Sequence, residues 1–407
     1  MSSTEEIVRL AAKGDGVTPS GRHVAGAVPG DVVDGAGEVT PGPHRIAPAC
    51  RHFALRPVQD CGGCQLQHAD DAALGDFVTD RVVNAARGQG IAAGEVLPVH
   101  LSPPHARRRA GLHALRTAKG AVLGYREGGA HRIVDLAECP VLHPQLAALI
   151  APLRGFVAAH GPKAMVGIAL TLADQGVEAN FAHFPLEGLG PTEAALDFAR
   201  EQGLARLSFD QGYGPETVWE PEPVTVTLGG VAVGLPPGAF LQATQDAESR
   251  MVADAADWLG DARMLADLFA GLGTFAFGLR AGAEETRKVL AVEADQAAHR
   301  ACKAAGARSG GQVLALHRDL FRAPLQPDEL NRFDAVLLDP PRAGARAQVA
   351  EIAASTLSRV VYVSCNPSSW ARDAAVLAGA GFRLAKLRPV GQFRWSTHVE
   401  LVSLFAR

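Results

Sequence analysis

The rhythm of apolar positions changes along the chain. Residues 1–49 carry no helical period. Short Val-rich runs are broken there by Gly14-Asp-Gly-Val17 and Val28-Pro-Gly-Asp31, the punctuation of strands joined by tight turns. Residues 50–68 place three cysteines among Gly and Pro, and 70–89 reads as a helix. Between about 97 and 235, strand-like runs such as Ala121–Tyr125 and Val166–Leu172 mix with loops and two helical stretches, an α+β pattern. From about 240 the alternation becomes regular. Strands are predicted at 263–268, 289–292, 313–316, 335–338 and 359–364, and helices at 275–281, 296–305, 346–356 and 368–378. Such a βα repeat predicts an α/β, Rossmann-like doubly wound sheet, mostly parallel, with ligands at the carboxyl ends of its strands.

Composition sharpens this in three ways. The 407 residues suffice for two or three domains, and no apolar run reaches the ~20 residues of a membrane span. The start, Met1-Ser-Ser-Thr-Glu-Glu6, lacks the apolar core of a signal segment, so a cytoplasmic protein with no membrane partner is expected. Its six cysteines then read as metal ligands or catalytic thiols rather than a disulfide frame. The formal net charge of −4 offers no general basic surface for nucleic acid. Local basic character is concentrated at His105-Ala-Arg107-Arg108-Arg109, with Arg126, His131 and Arg132 nearby.

Several polar residues fall at predicted strand ends. Asp267-Leu-Phe269-Ala-Gly271-Leu-Gly273-Thr274 follows a strand and opens a helix, and its glycines allow a sharp turn and close approach to a ligand. Glu293 ends the next strand, where a carboxylate can accept from both ribose hydroxyls, and Asp319 closes the strand after that, placed to accept from an adenine amino group. The full dinucleotide fingerprint is absent, so an adenosine-bearing ligand without pyrophosphate fits better. Asp339-Pro-Pro341-Arg342 makes a stiff loop able to hold a planar base. Cys365 sits where a strand yields to a helix, a place that favours a thiolate. Glu400 enters the last strand among apolar neighbours, as a base of raised pKa or as a solvated edge charge. Cys302, on a helix, reads as structural.

Taken together, Phe240-Leu-Gln242-Ala-Thr244, the Asp267–Phe275 string, Asp339-Pro-Pro-Arg342, Val363-Ser-Cys365-Asn-Pro367 and His398-Val-Glu400 resemble, in order, the class I RNA uracil-C5 methyltransferase family. The resemblance implies a covalent reaction on C5 of a uridine, with Cys365 as nucleophile and Glu400 as proton acceptor. It further implies S-adenosylmethionine bound by Gln242, Phe269, Gly271, Gly273, Glu293, Asp319 and Asp339. Cys61-Gly-Gly-Cys64 and Glu138-Cys139-Pro140 are similar to that family's iron–sulfur segments. A [4Fe–4S] cluster on Cys50, Cys61, Cys64 and Cys139 is implied, although four cysteines alone also suit zinc. Ten residues separate Cys50 from Cys61, a longer gap than the family's usual one. Three domains follow from the resemblance. They are a truncated TRAM-like β segment (1–49), an α+β domain with the iron–sulfur site (50–235) and a methyltransferase domain (236–407). The expected partner is RNA, ribosomal (23S) rather than transfer RNA, and not DNA. An adenine-N6 methyltransferase, which also uses Asp-Pro-Pro, would need an aromatic in place of Arg342. A non-enzymatic iron–sulfur RNA-binding protein would not need Cys365 and Glu400.

Overall fold

Strands buried on both faces must be apolar throughout, and four runs of the chain meet that demand: Leu265–Leu268 apart from Asp267, Ala335–Leu338, Val360–Val363 and Leu401–Phe405 apart from Ser403. In the computed structural model, which describes residues 4–53, 61–128, 131–281 and 287–407, these runs form the middle of one large sheet. Contacts divide the chain into two compact units. One comprises Met1–Phe77, Leu101–Glu222 and Phe393–Thr397; the other comprises Val78–His100, Pro223–Gln392 and His398–Arg407. Where the sequence suggests a boundary near 235, contacts change at Glu222/Pro223 instead, and the helix α1 (Asp71–Arg87) is shared.

In the first unit, residues 5–40 hold six two-residue strands in two small sheets around Ile7, Ala27 and Val33. The larger sheet runs β2-β1-β3-β4-β5-β6, with β1 Arg109–Thr117, β2 Gly120–Gly124, β3 Val166–Ala173, β4 Gly176–Ala182, β5 Arg206–Asp210 and β6 Pro215–Trp219. It is antiparallel except for β4–β5, which α3 (Leu189–Glu201) connects. Phe156 of α2 (Ile150–His160) packs with Phe181, Phe184 and Phe198, and Phe181 stacks on Phe209, giving this unit an aromatic core. The segment 393–397 is anchored here through Trp395, whose carbonyl accepts from the Gln65 and Leu66 N–H groups at 2.7 and 2.9 Å.

In the second unit the sheet order is β9-β8-β7-β10-β11-β13-β12, followed at the edge by Glu95–Val96. The strands are β7 Met264–Leu268, β8 Lys288–Glu293, β9 Val313–His317, β10 Ala335–Leu338, β11 Arg359–Ser364, β12 Arg383–Gly391 and β13 Glu400–Ala406. β7 to β11 are parallel and the last two strands antiparallel, as a doubly wound sheet with a terminal hairpin. Strand order reverses between β7 and β10, which makes their carboxyl ends the switch point where such sheets bind ligands. The helices are α4 (Gln245–Trp258), α5 (Thr274–Arg280), α6 (Gln296–Arg308), α7 (Arg346–Ala354) and α8 (Pro367–Gly379). Asp295 caps α6 by accepting from Ala298 N, and Asn366 caps α8 by accepting from Ser368 N, with Pro367 preset at the first turn.

One buried cluster fixes the loop after β10. Asp373 of α8, fully buried, accepts from Tyr362 Oη at 2.8 Å and from Ala345 N at 2.7 Å. Gly344, at φ +81°, lies so close that a Cβ there would stand 2.5 Å from Asp373 Oδ2. Asp373→Ala should orphan both donors and lower unfolding stability by about 3 kcal/mol. Chemical denaturation followed by circular dichroism measures this; an unchanged midpoint would show that the loop is held otherwise.

Candidate active site

The glycine loop is shaped by contact as well as by conformation. Gly273 sits at φ +89° as the N-cap of α5, and a Cβ there would stand 2.9 Å from both Cys302 Sγ and the Phe277 ring. This accounts for Cys302 as a packing residue. Gly271 is at φ +56° with open space on its side-chain face. Glu293 braces the loop, its two oxygens accepting from Gly271 N and Asp295 N at 2.7 Å each. Each oxygen keeps a lone pair for a further donor.

Asp267 lies beneath the loop, fully buried. Its Oδ2 accepts from Ala276 N at 2.8 Å, while its Oδ1 has no hydrogen-bond partner. Burial, then the Asp339 and Glu293 charges, push this carboxyl well above the usual range. An orphaned anionic acceptor beside a glycine loop suits a cationic ligand group. Sequence reasoning noted Asp267 only as the head of a motif. Phe269 holds φ +63°, a strained value for a bulky residue. Its ring packs against Phe321 at 5.4 Å. Phe321, 49% exposed, was not anticipated. Asp319, expected to close β9, lies two residues past its end and accepts from Phe321 N at 2.9 Å, so it shapes the turn that presents that ring.

A chain of side-chain hydrogen bonds crosses the carboxyl ends of the neighbouring strands. Gln242 Nε2 donates to Asp339 Oδ2 at 3.0 Å, Gln392 Nε2 donates to Gln242 Oε1 at 3.1 Å, and the same nitrogen donates to Glu400 Oε1 at 2.8 Å. Gln392 escaped sequence reasoning: it is a single polar residue just after β12, with no motif around it. Glu400 is 4% exposed, which rules out a solvated edge charge. Burial and the Asp339 charge push its carboxyl up to about 8, against the pull of the Gln392 amide and Arg342. Asp339 is half-buried, and burial of its carboxyl pushes it up to about 7 against the Gln242 hydrogen bond.

Cys365 directly follows β11, half-buried, and the structure corrects one expectation about it. Position before a helix does not lower its pKa, because burial and the Glu400 and Asp339 charges push the thiol up to about 11. Pro367 has no N–H, and the Asn366 side chain takes that of Ser368, so little of the α8 dipole is offered to sulfur. Arg342 and a backbone hydrogen bond at Cys365 oppose this rise. The Asp-Pro-Pro-Arg loop is tied alongside, the Arg342 carbonyl accepting from Asn366 Nδ2 and Ser369 Oγ, each at 2.9 Å.

In the first unit, Cys50, Cys61, Cys64 and Cys139 line one pocket together with Phe53, Arg107 and Tyr125. Burial raises the pKa values of Cys50, Cys64 and Cys139, with Cys64 reaching about 12. The Tyr125 hydroxyl is buried there without a hydrogen-bond partner. Among the described residues, no three His, Cys, Asp or Glu side chains are arranged to hold a single metal ion. The basic run is less exposed than expected. Arg108 is buried, Arg107 lies over the Phe393 ring at 5.3 Å, and burial beside Arg107 and Arg108 lowers Arg109 to about 10.

No helix among the described residues is long and apolar enough to cross a membrane. A family model described as tRNA (uracil-5-)-methyltransferase matches residues 234–407. An RNA methyltransferase of Zymomonas mobilis is 48% identical over 99% of this chain and 100% of its own length. The 23S rRNA (uracil(1939)-C(5))-methyltransferase of Pectobacterium atrosepticum is 33% identical over 90% of this chain and 81% of its own. The crystal structure of the Pyrococcus abyssi tRNA (uracil-54, C5)-methyltransferase in complex with S-adenosyl-L-homocysteine shares the fold, at TM-score 0.73 over 100% of both chains and 22% identity. With its glycine loop, its strand-end carboxylates and these relatives, the chain belongs to the S-adenosylmethionine-dependent RNA uracil-C5 methyltransferases.

Proposed function

We propose that this enzyme methylates C5 of a uridine in 23S ribosomal RNA through a covalent adduct on Cys365, with Glu400 as the base that ends the reaction. The observation that carries the mechanism is the placement of a buried carboxylate, Glu400, at the start of the strand paired with the one that Cys365 follows, linked through Gln392 and Gln242 to Asp339. C5 of uracil is a poor nucleophile. Addition of the Cys365 thiolate to C6 moves an electron pair onto C5 and the O4 carbonyl, and C5 then takes the methyl group. Glu400 removes the remaining C5 proton, the C5=C6 bond re-forms and the C6–S bond breaks, returning the thiolate. Reaching both ring carbons requires an unpaired or flipped base.

S-adenosylmethionine, when bound, supplies an electrophilic methyl group on a positively charged sulfonium. Asp267 Oδ1 offers an open acceptor for its amino group and Glu293 two free lone pairs for ribose hydroxyls. Gly271, open on its side-chain face, would leave room for its approach, and Phe269 with Phe321, whose turn Asp319 shapes, would form a wall for the adenine. Gln242 and Asp339 would hold the donor's reactive end and the base. Positive charge among these carboxylates offsets the repulsion that keeps the Cys365 thiol protonated, so binding of the methyl donor favours the thiolate.

The ribosomal substrate rests on the 33% identical relative named for 23S rRNA. A transfer RNA substrate is the second reading, favoured by the description of the family model. Mapping 5-methyluridine in both RNA classes from cells with and without the protein separates the two. For the cysteine pocket the fitting group is a [4Fe–4S] cluster held by Cys50, Cys61, Cys64 and Cys139. Four thiols line one pocket; zinc is the alternative that four cysteines also satisfy, and the resemblance of their segments to the family's iron–sulfur segments favours the cluster. Its chemistry there is to cross-link the loops that carry the four cysteines. RNA contacts in the first unit are assigned to His105 and Arg107, the more accessible members of the 105–109 run, since Arg108 is buried.

Cys365→Ala should lose turnover by at least about 10³-fold while S-adenosylmethionine still binds, and Glu400→Gln should accumulate a protein–RNA adduct that denaturing gels reveal. An active Cys365→Ala enzyme sinks covalent catalysis, and a Glu400→Gln enzyme that turns over without adduct removes the base. Protein purified without oxygen should be brown and contain iron; colourless, zinc-loaded protein would reverse the cluster assignment.

A further inference from the structure

Gln392 belongs to none of the motifs, yet it joins them. It directly follows β12 and is 2% exposed. Besides donating to Glu400 Oε1 and Gln242 Oε1, it accepts from Ala243 N through its own Oε1 at 3.1 Å. That backbone N–H keys the amide. The opposite orientation would set a carbonyl against Glu400 and an NH2 group against an N–H. The geometry points to Gln392 as a positioning residue for the base, holding one oxygen of Glu400 and leaving the other free for the C5 proton of the substrate uracil. This rests on the reading above that Glu400 removes that proton.

The step balances without a proton moving to or from Gln392. The free oxygen of Glu400 takes the C5 proton, the C5–H electron pair becomes the C5=C6 bond, and the C6–S pair leaves on Cys365. A neutral amide suits this role because it can donate to Glu400 Oε1 in both protonation states. The charged groups around Glu400 do not duplicate it. Asp339 and Cys365 repel the carboxylate, and Arg342 attracts it from an exposed loop. On α4, Asp254 is engaged by Arg250 and Arg388 and Asp246 by His100, with Glu248 on the same helix; on α8, Asp373 is engaged by Arg372 and Tyr362. The Gln392 amide is the side-chain donor that lowers the Glu400 pKa against its burial.

The sign follows. Loss of the N–H donor favours protonated Glu400, so the base becomes active only at higher pH. One charge-assisted hydrogen bond corresponds to about one pH unit. The test uses the full-length protein, S-adenosylmethionine and RNA carrying tritium at uridine C5, and follows tritium release in single turnover across pH. Cys365 is already bonded to C6 at that stage, so the rising limb reports the base. Gln392→Met should move the limb up by about one unit and slow release about tenfold at neutral pH, with adduct accumulating and the rate recovering in alkali. Gln392→Glu keeps an acceptor for Ala243 N but sets a carboxylate against Glu400, and should move the limb further. Retained S-adenosylmethionine binding confirms that both variants are folded. An unmoved limb in both, or a loss equal at every pH, overturns the role of Gln392 alone. A wild-type enzyme that forms no adduct overturns this role together with the reading on which it rests.

Discussion

Crowding of carboxylates at the carboxyl ends of β7 and β10 and the amino end of β13 is the constraint on which the site depends. Asp267, Asp339 and Glu400 are each pushed to higher pKa by burial, Asp267 and Glu400 also by the Asp339 charge, and Cys365 is pushed with them. A resting site of this kind is poorly satisfied: it holds excess potential negative charge in a place with little water. A positively charged methyl donor is the complement that such a pocket lacks. On the proposed mechanism, binding and activation of the nucleophile become one event, since the same charge that fills the pocket relieves the thiol.

The sheet supplies the geometry. Parallel strands deliver Asp267, Glu293 and Asp339 to one edge, and the antiparallel hairpin β12–β13 adds Gln392 and Glu400 from the far end of the sequence. Rigid loops hold these positions. Asp373 pins the segment after Asp339, Glu293 pins the glycine loop, and the Asn366 side chain and Ser369 hydroxyl pin the Arg342 carbonyl. Glutamines link the carboxylates, and their neutral amides donate N–H groups without adding charge.

Much of this was legible from sequence because it is periodic or local. The strands from β7 to β11 are short apolar runs between turn signals, and β10 and β11 lie where the pattern puts them. β12 was not legible. Arg383-Leu-Ala-Lys-Leu-Arg-Pro389 mixes charge with apolar residues, and a bulge between Leu384 and Lys386 breaks its alternation. Helix α4 was also missed, although Ala247, Met251, Ala255 and Trp258 mark one buried face, because small alanines give a weak apolar signal. Cys365, Glu400 and the strand-end carboxylates could be singled out, but not their electrostatics. The thiol pKa is raised by burial and then by Glu400 and Asp339, residues 35 and 26 positions away in sequence. Gln392 was invisible for the same reason, since its meaning lies in partners 150 and 8 residues distant.

The account turns on a bond between sulfur and the ring carbon next to the methylated one. Peptide mapping by mass spectrometry, after incubating the wild-type enzyme with S-adenosylmethionine and 5-fluorouridine RNA, tests it most directly. Fluorine at C5 cannot leave as a proton does, so the adduct should persist, with a methylated fluorouracil on the peptide that contains Cys365. Methyl transfer with no modified peptide, or modification of another cysteine, would contradict the account.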